Sequence, residues 1–212
     1  GFSSSKIRTF PHLLDLSEYN TKPDRKFLKI HKIKSDTKII SYVGRFSKEN
    51  YIYDYIEILK RLLKKYPNIL LIMAGDGVET KYIKKILEKN KILKSKIILL
   101  GFVGQKDIQT IRKLSYINLS LMGGFSLIEA CASGRPVISY DVEWHAELIK
   151  NNKSGILIKE ENITGVCHAI EKLFKNPNLA KKLGGNAKKI AFEKHHIKTN
   201  SDLRMRIYKE LF

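Results

Sequence analysis

Short apolar runs that each stop at a glycine constrain this chain more than any other feature. Ile39-Ile40-Ser41-Tyr42-Val43 stops at Gly44-Arg45, Ile69-Leu70-Leu71-Ile72-Met73-Ala74 at Gly75-Asp76-Gly77, and Ile97-Ile98-Leu99-Leu100 at Gly101. Runs at 117–121, 137–140 and 155–158 extend the series. None of them alternates strictly between apolar and polar residues, which is the pattern of strands covered on both faces. Segments of helical periodicity separate them at 52–65, 79–90, 106–114 and 145–149, with a short helix after Gly123-Gly124. Strands alternating with helices predict an α/β fold, a parallel sheet with helices on both sides. Ligands bind such sheets at the carboxyl ends of the strands, and the glycine-bearing endings all fall on that rim.

The richest ending is Gly123-Gly124-Phe125-Ser126-Leu127-Ile128-Glu129-Ala130, which runs on through Gly134-Arg135-Pro136 into Val137. Two glycines let the backbone turn closely past a ligand, and the first-turn amides and dipole of the following helix favour an anion such as phosphate. Glu129 then has a different task. An ionised carboxylate is acceptor-only and suits a pair of hydroxyls. A plain strand-to-helix turn with a surface glutamate carries the same residues, and Gly75-Asp76-Gly77 reads most simply as a helix start.

The chain of 212 residues is long enough to bury a core without staples. Its organisation predicts a linker with a preparatory helix over 1–36, the α/β domain over 37–160, and C-terminal helices over 161–212 at 163–175, 179–195 and 201–211. Within the first part, 7–10 reads as a short strand and 11–15 as a turn. Cys131 and Cys167 fall in helical segments and imply no disulfide scaffold. No apolar run has spanning length and no signal-peptide pattern opens the chain, so the expected location is cytoplasmic. The net charge of +19 raises nucleic acid as a partner. Lysines are spread over nearly every helix, however, without interleaved aromatics, so solvated helix faces are expected and nucleic acid is not. Attraction to an anionic inner membrane leaflet remains the second reading of that charge. His195-His196 lacks partners at metal-ligand spacing, so no metal is expected.

Several motifs recur together in one order. Tyr42-Val43-Gly44-Arg45-Phe46-Ser47-Lys48-Glu49, Ala74-Gly75-Asp76-Gly77, Leu100-Gly101-Phe102-Val103 and Gly124-Phe125-Ser126-Leu127-Ile128-Glu129-Ala130 with Gly134-Arg135-Pro136-Val137-Ile138 resemble the C-terminal half of the group 1 glycosyltransferases (glycosyltransferase family 4). That resemblance implies the Rossmann-like, doubly wound donor-binding half of a two-domain GT-B fold. Its donor is a nucleoside diphosphate sugar, with no cofactor or metal. Arg45 matches the arginine on the donor diphosphate, a fixed-charge fork suited to charge building on a leaving group. Glu129 matches the glutamate on the ribose hydroxyls. Gly101, Phe102 and Val103 match the base-binding edge, with Gly44 beside the arginine and Gly123, Gly124, Phe125, Ser126 and Leu127 forming the phosphate turn. The turn at 11–15 resembles the interdomain crossover, which implies an acceptor-binding N-terminal domain absent from this chain. The last helix is then expected to cross towards that domain and expose Tyr208, Leu211 and Phe212.

Two positions depart from the family pattern. Asn50 stands where a lysine usually follows the arginine by five residues, and the first glutamate of the Glu-x7-Glu motif is missing, because Leu121 or Gly123 falls there. Glu143, Trp144 and His145 occupy the place of small residues on the sugar and acceptor side. Trp144 could pack between helix and sheet instead, and His145 reads as a surface or capping residue before it reads as catalytic. The resulting expectation is a retaining transferase that moves a sugar to a glycan or lipid-linked acceptor and is inactive as an isolated half. A catalytically impaired nucleotide-sugar-binding module and a GT-B-like sugar-nucleotide epimerase are the alternatives.

Overall fold

The computed structural model describes residues 10–209, the side chains of 203 and 204 excepted. A 3₁₀ turn at Ser17–Asn20 and helix α1 (Lys26–Ile30) precede β1 (Lys38–Val43), α2 (Ile52–Leu63) and β2 (Ile69–Ala74). Then follow α3 (Thr80–Lys89), α4 (Lys91–Lys96), β3 (Ile97–Gly101), α5 (Gln105–Leu114) and β4 (Ile117–Leu119). The chain continues through α6 (Phe125–Ala132), β5 (Val137–Tyr140), α7 (His145–Leu148) and β6 (Ile156–Ile158). It closes with α8 (Ile163–Lys175), α9 (Pro177–His195) and α10 (Ile197–Lys209). All six strands are parallel, in the order β3-β2-β1-β4-β5-β6. The direction of winding reverses between β1 and β4, which opens the crevice where such sheets bind ligands.

The absence of alternation in the strands has its expected cause. Along β1 and β2, Ile40, Tyr42, Leu71 and Met73 face a core built with Tyr55 and Leu59 of α2 and Ile170 and Leu173 of α8. Their neighbours Ile39, Leu70 and Ile72 face the opposite layer with Ile111 of α5. Successive side chains point to opposite faces, and both faces are covered, so every position in β2 is buried. A third cluster packs α6 against α9 through Ile128, Cys131, Ala187 and Ala191.

Helix starts follow local chemistry. Asn90 caps α4 by accepting from Leu93 N at 3.0 Å, Asn162 caps α8 by accepting from Gly165 N at 2.9 Å, and Pro177 opens α9 where its missing N–H costs nothing. The segment expected as a linker lies against the domain: Leu16 and Tyr19 are buried beside α6, and Phe27 of α1 beside β1 and β2. The periodicity did not predict α4, whose six residues are too few to show a pattern. The last helix begins at Ile197, four residues earlier than expected, and Tyr208 on it is exposed, whereas Leu211 and Phe212 lie outside the described residues. Most of the strand expected at 7–10 also lies outside them. No helix among the described residues is long and apolar enough to cross a membrane.

Candidate functional site

At the switch point, Gly44 and Arg45 leave β1 and form one wall of a cleft of about 310 Å³, with Phe102 and Val103 after β3 on the other side. Gly75 and Asp76 form its floor. The β1 loop is fixed by its backbone: Gly44 N donates to Ala74 O at 3.0 Å, Phe46 N to Asp76 O at 2.9 Å, and Gly75 N to Gly101 O at 2.8 Å. Gly75 adopts φ +132°, and a Cβ there would sit 1.9 Å from Gly44 O, so only glycine permits the two loops to touch. The reading of Gly75-Asp76-Gly77 as a mere helix start is therefore too narrow. Asp76 does accept from Gly77 N at 2.7 Å, but the loop also braces Arg45 and lines the cleft.

Asn50 has a definite place. Its Nδ2 donates to Arg45 O at 2.9 Å and to Ser47 Oγ at 3.3 Å, while Tyr42 Oη donates to the same Arg45 carbonyl at 2.7 Å. The side chain holds the arginine's backbone from behind. Arg45 itself stays exposed, with its guanidinium available to an anion. Phe102 is 85% exposed and Val103 half-buried, so the β3 end offers an edge of backbone and one open ring.

The β4 end forms the neighbouring turn. Gly123 is buried, Gly124 and Phe125 are exposed, and Leu127 points into the core, contributing only backbone to the turn. Ser126 on α6 donates from Oγ to Val43 O at 2.5 Å and accepts from Arg112 Nη2 at 2.8 Å, tying this helix to the base of the Arg45 loop. Glu129, one turn further on, lies outside the lining of that cleft but is tied to its Phe102–Val103 side through Gln105. Gln105 Nε2 donates to its Oε1, and Arg112 Nη2 lies 3.7 Å from its Oε2.

Arg112 is the residue that the sequence reading missed. It is only 2% exposed, it sits under α6, and its Nε and the hydroxyl of Tyr19 are both buried without a hydrogen-bond partner. Leaving such groups unpaired costs about 1–3 kcal/mol each. An arginine held at that cost is doing something for its neighbours Ser126 and Glu129. The sequence did carry a signal: Ile108, Ile111, Arg112 and Ser115 share one stripe at helical spacing, so a charged residue was placed on the apolar face.

The residues assigned to the sugar side separate. His145 is fully buried, which corrects its reading as a surface residue. Its Nδ1 lies 2.7 Å from Ser139 Oγ and 3.0 Å from Tyr140 O, and its Nε2 lies 3.1 Å from Gly123 O, so the ring braces the glycine turn against the end of β5. Trp144 is half-buried and lines a different concavity of about 430 Å³ with Phe10, Pro11, Glu147 and His195, away from the Arg45 cleft. Glu143 is exposed at φ +47°. The histidine pair is structural: His196 Nδ1 accepts from Leu16 N at 3.1 Å, and His195 Nδ1 lies 2.9 Å from His12 O. Burial pushes the Cys131 thiol up to about 12, so it offers no nucleophile at neutral pH.

A family model described as "Glycosyl transferases group 1" matches residues 23–190, which spans the whole sheet and both loops of the cleft. The chain belongs to the group 1 glycosyltransferases. Among curated relatives of this glycosyltransferase chain is a poly(ribitol-phosphate) alpha-N-acetylglucosaminyltransferase from Staphylococcus aureus, 30% identical over 176 residues, which cover 80% of this chain and 35% of the relative. Among solved structures, a sucrose-phosphate synthase from Thermosynechococcus elongatus superposes with a TM-score of 0.84 at 19% identity over 97% of this chain and 52% of the other. Anabaena HepE, solved in complex with UDP-glucose, gives a TM-score of 0.82 at 18% identity over 99% of this chain and 59% of the other. These likenesses identify the fold as the Rossmann-like C-terminal half of a GT-B architecture. The chain spans less than half the length of the first curated relatives it matches.

Proposed function

We propose that this chain is the donor-binding half of a retaining glycosyltransferase that moves a sugar from a nucleoside diphosphate sugar to a glycan or lipid-linked acceptor, the acceptor being held by a second domain. The observation that carries this reading is the meeting of Arg45, Phe102 and Val103 in one cleft at the strand-order reversal, with Ser126 of α6 tied to the same loop. As the bond from the sugar's anomeric carbon to the diphosphate breaks, negative charge builds on the leaving oxygen. The Arg45 guanidinium and the first-turn amides of α6 stabilise that charge without having to reorganise. Arg45 is placed for this by the two hydrogen bonds to its own carbonyl, from Tyr42 and Asn50. Glu129, already oriented by Gln105 and Arg112, accepts from the ribose hydroxyls, and the base lies against the backbone edge at Phe102 and Val103. The carboxylate motif contributes no second acid beside Glu129, so substitution on one face of the sugar fits better than a covalent glycosyl-enzyme.

A second reading, a module that binds the nucleotide sugar without transferring it, is favoured by Asn50. Its side chain is engaged on Arg45 O and brings no charge to the diphosphate. Calorimetric titration of the chain with UDP, GDP, ADP and their sugars tests the site, with UDP first because HepE was solved with UDP-glucose. Arg45→Ala and Glu129→Ala are each expected to weaken nucleotide binding by about tenfold or more, the loss of one charge-assisted contact. Unchanged affinity in both variants would falsify the assignment. Sugar transfer is expected only when an acceptor-binding domain is supplied, and turnover by this chain alone would refute that part.

A further inference from the structure

On the rim opposite the donor cleft, where α5 ends and β5 begins, a second concavity of about 450 Å³ opens. Lys22, Arg25, Lys113 and Arg135 line it beside Ser133 and Gly134. Lys188 of α9 joins them: its Nζ donates to Tyr19 O at 3.1 Å, the same carbonyl that accepts from Lys113 Nζ at 3.0 Å. Arg135 Nε donates to Lys113 O at 2.8 Å. Five cations thus converge, three of them (Lys113, Arg135 and Lys188) donating to main-chain carbonyls, and none of the five takes part in an ion pair among the described residues.

The general basicity of the chain does not account for this. Some helix-surface lysines stand beside acids, as Lys60 does with Glu57, Lys65 with Glu171 and Lys189 with Glu193, and others extend singly into solvent. In the pocket, like charges meet each other. Burial lowers the pKa of Lys113, and Lys188 and Arg135 lower it further. Burial and then Arg25 act on Arg135 in the same direction. A ligand carrying two or more negative charges relieves that repulsion and gains charge-assisted hydrogen bonds from both guanidinium forks.

We propose that this pocket binds a phosphate group, either free as phosphate or diphosphate or carried on a lipid headgroup. The proposal does not depend on the donor-site reading, because the two sites lie on opposite rims and share no residue.

Inorganic pyrophosphate is the first probe, titrated by NMR into the unmodified chain. Saturable shifts at the amides of Gly134 and Arg135 are expected, and shifts confined to Gly44, Arg45, Gly124 and Phe125 overturn the proposal. Titration is then repeated in an Arg45→Ala background, which silences the donor cleft. There, Lys22→Glu with Arg25→Glu is expected to weaken pyrophosphate by about tenfold or more. Lys85→Glu with Lys89→Glu, an equal charge change on exposed α3 positions, is expected to leave affinity within about twofold. Sedimentation with phosphatidylcholine vesicles doped with phosphatidic acid separates the sources. Binding that is lost in the first double variant and kept in the second assigns the lipid, and pyrophosphate binding without vesicle binding assigns the free anion. Equal losses in the two double variants, or no binding to either probe, overturn the proposal.

Discussion

The two walls of the candidate site are built by different means. On the β1–β2–β3 side, strands of five and six residues pair over six positions between β1 and β2 and four between β2 and β3, with one register shift at Met73/Ala74, and the loops beyond them are joined backbone to backbone, Gly44 to Ala74, Gly75 to Gly101 and Phe46 to Asp76. On the β4–β5 side, strands of three and four residues pair over only two positions each with their inner neighbour. There, buried side chains complete the connection. Ser41 Oγ donates to Asn118 Oδ1 at 2.7 Å, Asn118 Nδ2 to Ser133 Oγ at 2.9 Å, Ser139 Oγ to Ser120 O at 2.5 Å, and His145 reaches Gly123. Arg112 extends the same network to Ser126 and Glu129. One wall depends on the absence of side chains and the other on polar ones, so they are expected to fail differently.

The first wall breaks hardest. Gly75→Ala forces a Cβ to 1.9 Å from Gly44 O at a φ that L residues avoid, and is expected to cost about 4 kcal/mol or to prevent folding, as read by urea denaturation. Gly185→Ala, on an exposed position of α9 with open space around it, sets the contrast and should stabilise by about 1 kcal/mol. Equal effects at the two positions would show that the loop contact is dispensable.

In the second wall, Arg112→Leu is expected to cost about 2 kcal/mol by stripping Ser126 and Glu129 of their shared donor. The more telling readout is ligand discrimination. If Arg112 positions Glu129, the variant loses preference for UDP over its 2′-deoxy analogue along with affinity; a stability loss with discrimination intact would make Arg112 a packing residue. His145→Ala should be milder, about 1–2 kcal/mol, with faster hydrogen exchange at the Gly123 and Gly124 amides than elsewhere in the domain. Uniform acceleration across the sheet would deny His145 a local role.

The same contrast explains what was legible in the residues. The first wall could be read because its devices are glycines at strand ends, and a glycine needed for backbone approach is a local mark. Gly44, Arg45, Phe102 and Val103 were expected together and do share a cleft. The second wall was read less well. His145 looked like a surface residue and is buried, and Trp144 lines another concavity; on the first wall, the one misreading is Asn50, which looked like a missing cation and is a backbone brace. Arg112 is 17 residues from Glu129 in sequence (129 − 112), and nothing local to either links them.

Sequence alone determined the architecture: unalternating apolar runs must be covered on both faces, and strands alternating with helical segments predict a parallel sheet with helices on both sides, to which the family resemblance added the doubly wound order. It also determined that the ligand rim lies at the carboxyl ends of the strands. Only the tertiary structure decided which polar side chains serve that rim and which serve the core. Hydrogen-bond partners at Arg112, Asn118 and His145 come from strands and helices distant in the chain, and their burial is a property of the packed domain. The basic pocket is likewise a product of assembly. Its lysines and arginines look like ordinary surface charge until the N-terminal segment, α5, α9 and the start of β5 bring them onto one pocket, whose lining among the described residues holds no carboxylate.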